Sequence, residues 1–196
     1  FYVCADTVQK AALLPQTEAV RERGYEILYL TDPIDEFAVR VLEKYEDKEF
    51  KSVSADDLDL ETEEEKKEAA QKAEENKEML GLLKDSLAGK VHAVVLSKKL
   101  RTHPVCLSSS GAISMEMEKV LNAMPNGKDE KVKAQRVLEI NANHPVFEKL
   151  CALYRDDREK LKTYASLLYT QALLIEGIQV EDPVEFSNQI CDLMIG

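Results

Sequence analysis

The C-terminal end of this chain constrains its fold more than any other stretch. From Asp157 to Glu176, the residues Leu161, Tyr164, Leu168, Ala172 and Ile175 recur at helical spacing, and Leu167, Leu173 and Leu174 widen that stripe beyond what one contact surface requires. Gly177 ends the helix, since glycine accepts the left-handed conformation found just past a helix end. Asp182-Pro183-Val184-Glu185 opens another: Asp182 can accept from the exposed N–H groups, Pro183 takes the tolerated first position, and Glu185 can reach back. Phe186, Ile190, Leu193 and Met194 form its apolar stripe. Two broadly apolar helices joined by a short turn bury only part of their surface against each other, so something must cover the rest. Their own domain is one solution. A second copy, forming an intermolecular four-helix bundle with two-fold symmetry, is the other; such an obligate interface buries on the order of 2,000 Å² or more.

Upstream the pattern is mixed. Residues 1–52 read as β-α-β-α: the apolar runs Tyr2 to Cys4 and Glu26 to Leu30 flank a helical crossover ending at Gly24, which suits two parallel strands. Asp32-Pro33 starts a helix with Phe37, Val41 and Leu42 on its inward face. The turn after the first strand, Ala5-Asp6-Thr7, has no glycine to let backbone N–H groups approach a phosphate, which excludes a dinucleotide site. Residues 53–61 are rich in Ser and Asp and mark a boundary, dividing the chain into units at 1–53 and 54–196. Thr62 and Glu65 suit a capping box, opening a helix with Ala69, Ala73, Leu80, Leu83 and Leu87 on one face that runs to Gly89. Val91 to Leu96 and Val105 to Leu107 read as a hairpin with Lys98, Lys99 and Arg101 at a solvated tip, and Gln135 to Ile140 is a third strand. Pro145 restarts a helix with Val146, Leu150, Leu153 and Tyr154 inward. The expected class is α/β (α+β): a small β-α-β-α unit, then a three-stranded sheet with helices, then the helical hairpin.

Between Ser110 and Pro125 a helix carries Ile113, Met117, Val120, Leu121 and Met124 in one stripe, with Met115 beside it; three of the five methionines fall between Met115 and Met124. Methionine is flexible and polarisable, so an exposed stripe of this kind adapts to partners of varied shape. The alternative is that the stripe faces the core.

The remaining features exclude more than they assign. The net charge of −11 disfavours nucleic acid, which is bound by clustered Lys and Arg; eleven carboxylates against four lysines between Asp56 and Glu78 make one solvated acidic segment. No apolar run approaches the ~20 residues that span a bilayer. Cys4, Cys106, Cys151 and Cys191 are dispersed in apolar stretches, which points to buried free thiols and a reducing, cytoplasmic compartment. Neither they nor His92, His103 and His144 have metal-ligand spacing, and no nucleophile, base and orienting group occur as a motif. No metal and no catalytic residue are expected. The chain opens on Phe1, without an initiator Met or a signal-peptide layout, so it reads as a piece of a longer protein.

Three segments carry a resemblance. Leu138-Glu139-Ile140-Asn141-Ala142-Asn143-His144-Pro145 is similar to the L-E-I-N-P-x-H-P signature of the heat-shock protein 90 chaperones. Leu30-Thr31-Asp32-Pro33-Ile34-Asp35-Glu36 resembles their L-x-D-x-I-D-E segment, and Gln171-Ala172-Leu173-Leu174 with Asp182-Pro183 and Phe186 resembles their closing helices. The order is kept along the whole chain, and the likeness is to the bacterial form. It implies the last α/β part of the middle domain followed by the C-terminal dimerisation domain, with the ATP and magnesium site, and hence the ATPase activity, in an N-terminal domain outside this stretch. It assigns the homodimer bundle to the last two helices. It also makes the Met-rich helix a contact surface for non-native client proteins, favouring exposure of Met115, Met117, Leu121 and Met124 while Ile113 and Val120 can be core. Phe37 and Arg40 fall where relatives contact clients, although Phe37 also suits a core aromatic. Ala142 replaces the signature proline, and the absence of an M-E-E-V-D tail means that tetratricopeptide co-chaperones are not implied. Other readings are a passive oligomerisation scaffold and, less favoured, a small α/β enzyme domain.

Overall fold

The computed structural model describes residues 1–58, 60–124 and 131–195, so the expected stop at Pro125-Asn126-Gly127 lies outside the described residues. The first unit is the expected parallel β-α-β-α. Strand β1 (Tyr2–Cys4) pairs in parallel with β2 (Leu28–Leu30), and the crossover between them comprises α1 (Val8–Leu13), a 3-10 turn (Pro15–Thr17) and α2 (Glu18–Glu22). Helix α3 (Asp35–Leu42) follows, then a small hairpin of β3 (Lys44–Tyr45) and β4 (Lys48–Glu49). The helix starts later than the expected Asp32-Pro33: its N-cap is Ile34, and Asp32 closes the turn before it, Oδ1 accepting from Ile34 N (3.0 Å) while Asp35 accepts from Asp32 N (3.1 Å). The inward face of α3 is not the expected one: Val41 and Leu42 are exposed, and the buried residue is Glu36. The polar partners waiting on β1 decide this.

After residue 62, α4 (Glu63–Glu75) and α5 (Lys77–Ser86) replace the single expected helix. The Thr62–Glu65 capping box is present at its start. The break falls at Asn76 (φ −111°, ψ 11°), where the side-chain amide (2.8 Å) and the backbone N–H (3.2 Å) both donate to Lys72 O; a side chain that bonds nearby backbone in this way favours helix ends over helix interiors.

The sheet consists of β5 (Ala93–Leu96), β6 (Val105–Ser110) and β7 (Gln135–Ile140) in the order β5-β7-β6, with β7 parallel to β5 and antiparallel to β6. The expected β5–β6 hairpin is therefore corrected: β7 lies between its two strands. Lys99 is also not at a solvated tip. It is buried, with Nζ 2.7 Å from Glu139 Oε1 and donating to Ala55 O (2.6 Å), so the β5–β6 connection folds inward and cannot make a tight turn. Helix α6 (Met115–Ala123) starts later than expected, because β6 stays paired to Gln135 as far as Ser110 and Gly111 then turns at φ +80°. Helices α7 (Pro145–Asp156), α8 (Arg158–Ile175) and α9 (Pro183–Ile195) complete the chain.

Two apolar clusters result. One gathers Val3, Ala11, Leu14, Val20 and Val53, joined by Leu58 and Leu60 from the boundary segment. The larger one packs α5, α7 and α8 against the sheet, with Leu83, Leu107, Leu138, Ile140, Leu150 and Leu161 almost wholly enclosed. Full burial of one such side chain stabilises by roughly 1.5–3 kcal/mol. Ile175 of α8 reaches the smaller cluster, and polar contacts add to this junction. Glu18 of α2 accepts from Arg101 N (2.6 Å), Thr102 N (3.1 Å) and the Thr102 hydroxyl, and stands 2.7 Å from His103 Nδ1.

Candidate binding cleft and self-association face

Helix α6 is fixed at its start by Ser114, whose hydroxyl accepts from Met117 N (3.1 Å). Two ties then hold it. Glu118 accepts from Arg136 (2.7 Å) and from Ala134 N (2.9 Å), anchoring the helix to β7. Lys119 reaches Glu116 (2.6 Å) and the Glu176 carbonyl (3.1 Å), anchoring it to the end of α8. Between these ties the methionine stripe is divided. Met115 is 3% exposed within the large core, which corrects the exposed placement expected for it. Ile113 is half-buried against that core, Met117, Val120 and Leu121 are half-buried, and Met124 is exposed. A helix anchored across the edge of a sheet must give one side to the core.

The other side faces a cleft of about 530 Å³, within the usual range of ligand pockets. Its far wall is Ala5 and Asp6 after β1, with Leu30 at the end of β2 and Asp32, Pro33 and Glu36 beyond it, which places it off the carboxyl ends of two parallel strands, where α/β folds commonly bind. Val120, Ala123 and Met124 supply its apolar near wall. Glu36 organises the junction. Its carboxylate accepts from the Cys4 thiol (3.1 Å), the Tyr2 hydroxyl (3.4 Å) and Arg40 Nε (3.0 Å), while Arg40 Nη1 donates to Ala112 O (2.7 Å) just ahead of α6. Burial, with the Glu36 charge behind it, pushes the Tyr2 hydroxyl up to about 12. Burial first and the Glu36 hydrogen bond second push the Cys4 thiol far above its ordinary range, so it is no nucleophile. Arg40 thus belongs to this site as a clamp. Phe37 is half-buried and does not line the cleft. Sequence periodicity missed Glu36, because nothing local marks a carboxylate whose donors lie 32 and 34 residues earlier. ATP does not fit here: Asp6, Asp32, Glu36 and Glu116 oppose a polyphosphate, and no glycine follows β1.

The residues expected at a dimer bundle separate into two groups. Leu161, Leu168 and Ala172 of α8 are buried in the chain's own core, with Tyr164 packed partly against it and Ile175 against the smaller cluster. The stripe of α8 is broad because α5, α7 and β6 all pack against the helix, although Leu174 is exposed. Helix α9 buries none of its residues. Phe186 is half-buried, whereas Ile190 and Leu193 are more than a third exposed and Val184, Met194 and Ile195 largely so. Cys191, expected to be a buried thiol, is exposed on the same helix.

The profile of the Hsp90 protein family matches residues 1–195. The chain belongs to the Hsp90 family. Among curated relatives it is 53% identical over 194 residues to the chaperone protein HtpG of Clostridium botulinum strain Langeland. It is 53% identical over 195 residues to that of Alkaliphilus oremlandii, and 49% identical over 195 residues to that of Bacillus subtilis strain 168. These matches cover 99–100% of this chain but only 31% of each relative, so the chain spans about a third of their length. The Hsp90 resemblance read from the three segments is thereby borne out along the whole chain, as is its mixed α and β class. Among the described residues no helix is long and apolar enough to cross a membrane.

Proposed function

We propose that this chain is the self-association and client-contact part of an Hsp90-type chaperone. The observation that carries the reading is the exposed apolar face of α9, a helix that packs against α8 and buries none of its residues. A contiguous face of this kind marks an interaction site, and a helix presented by a rigid domain suits an isologous bundle with a second copy. Because α8 is occupied by its own core, the pairing falls on Ile190, Leu193 and Met194, with Phe186 at the edge. Client contact belongs to the α6 side of the cleft, where Val120 and Met124, flanked by Met117 and Leu121, offer adaptable apolar surface above a carboxylate rim. Catalysis is not part of this reading, which puts an ATP and magnesium site in the remainder of a longer protein. A cytoplasmic setting suits a chain with four free cysteines.

Sedimentation equilibrium of the chain tests the first half. A mass near twice 22.1 kDa persisting into the low-micromolar range is expected, and a stable monomer would withdraw the bundle. Binding of a partly unfolded protein tests the second half: Met117→Ser with Leu121→Ser weakens it without changing the mass. Unchanged binding would favour the passive scaffold, which the burial of Met115 also suits.

A further inference from the structure

The first unit meets the end of α8 through a buried polar contact. Gln16, in the 3-10 turn, is wholly enclosed; its Nε2 donates to Leu107 O on β6 (2.7 Å) and to Oε1 of Glu176. The contact is incomplete in two ways. Gln16 Oε1 is buried and has no hydrogen-bond partner. Glu176 caps the C-terminal end of α8, where the helix dipole opposes a negative charge. One proton repairs both, because a neutral Glu176 carboxyl supplies the O–H that the amide oxygen lacks, closing a two-bond ring between the side chains.

The surrounding cations favour the carboxylate less than burial opposes it. From α6, Lys119 is engaged with Glu116 and with the Glu176 backbone carbonyl, and Glu116 itself repels. From the β5–β6 connection, Lys99 is engaged with Glu139 and Ala55. Across the adjoining cavity of about 290 Å³, Asp6 and Lys10 pair with each other and the Cys4 thiol is neutral. Burial dominates and raises the Glu176 carboxyl to about 7, against the lowering pull of Gln16, Lys119 and Lys99.

We propose that the Gln16–Glu176 contact is a proton-operated latch between the first α/β unit and α8, tight while Glu176 is neutral and loosened when it ionises. The sign follows from the raised value: the latch contributes fully below the carboxyl's ordinary range, near 4.5, and is lost as pH rises through about 7. The client cleft lies beside this junction and shares Cys4, Ala5, Asp6, Glu116 and Lys119 with the adjoining cavity, so loosening the latch frees one wall of the cleft.

Carbon-detected NMR of the glutamate carboxyls in the full chain tests this, with the Glu176 signal assigned by its absence in Glu176→Gln. A midpoint near 7 is expected; a midpoint below ~5.5 overturns the latch. Hydrogen exchange of residues 14–20, corrected for intrinsic rates, should lose about tenfold in protection between pH 6 and 8 in the wild type, and not in Glu176→Gln, whose amide mimics the neutral acid. His103 faces Glu18 at the same junction. A pH response that disappears in His103→Asn yet persists in Glu176→Gln overturns the assignment. Should Glu176→Gln fail to fold, the glutamate missing among the carboxyl midpoints after Glu176→Asp substitution identifies the signal and decides the matter.

Discussion

Replacing Lys99 by Met isolates the contribution of the buried Lys99–Glu139 ion pair. Lys99 and Glu139 are 1% and 3% exposed, their charged atoms lie 2.7 Å apart, and Lys99 also holds Ala55 O at 2.6 Å. The substitution keeps the length and apolar stem of the side chain but leaves Glu139 with Ser97 as its donor, at 2.7 Å. Removing one partner of a buried pair costs about 3–5 kcal/mol, since the remaining charge stays desolvated. For a chain of this size each kcal/mol lowers Tm by about 2–4 °C, so a drop of roughly 6–20 °C is expected in thermal unfolding at pH 7. The double variant Lys99→Met with Glu139→Leu should recover much of that loss, because it removes the orphaned charge as well as its partner. A single variant within about 1 kcal/mol of wild type, or a double variant as costly as the two singles summed, would refute the argument that the pair is electrostatically coupled.

Other outcomes follow from the burial pattern and the titrations. Ile190→Glu with Leu193→Glu should give a folded monomer by sedimentation, whereas Leu168→Glu, which places a charge in the chain's own core, should unfold the chain. Met115→Ala should lower stability by about 2–5 kcal/mol in urea unfolding, as for a core methionine, while Met124→Ala stays within about 0.5 kcal/mol. Although burial alone would raise it, the hydrogen bonds from Thr102, Arg101 and His103 lower the Glu18 carboxyl to about 2, so its stabilisation is present above the ordinary value of 4.5 and lost as pH falls toward 2. Glu18→Gln should flatten that acid limb in a pH series of melting temperatures; an unchanged limb would count against the contact.

Local chemistry determined much of this protein. The Thr62 capping box, the Asp182 cap of α9 and the apolar runs of β1, β2 and β7 are written in neighbouring residues, because caps and strand patterns depend on groups a few positions apart. The family, too, was legible from three short segments in order. What only the tertiary structure decided concerns partners far apart in the chain. β7 lies between β5 and β6, pairing along its length with both, and Lys99 meets Glu139 of β7 inside the fold; Glu36, with donors from Tyr2 and Cys4, is the buried residue of α3 while Val41 and Leu42 are exposed. Periodicity identifies an apolar face but does not name what covers it. That is why the stripe of α8 proved to be core and that of α9 exposed: three neighbours surround the first helix, and one edge of α8 meets the second.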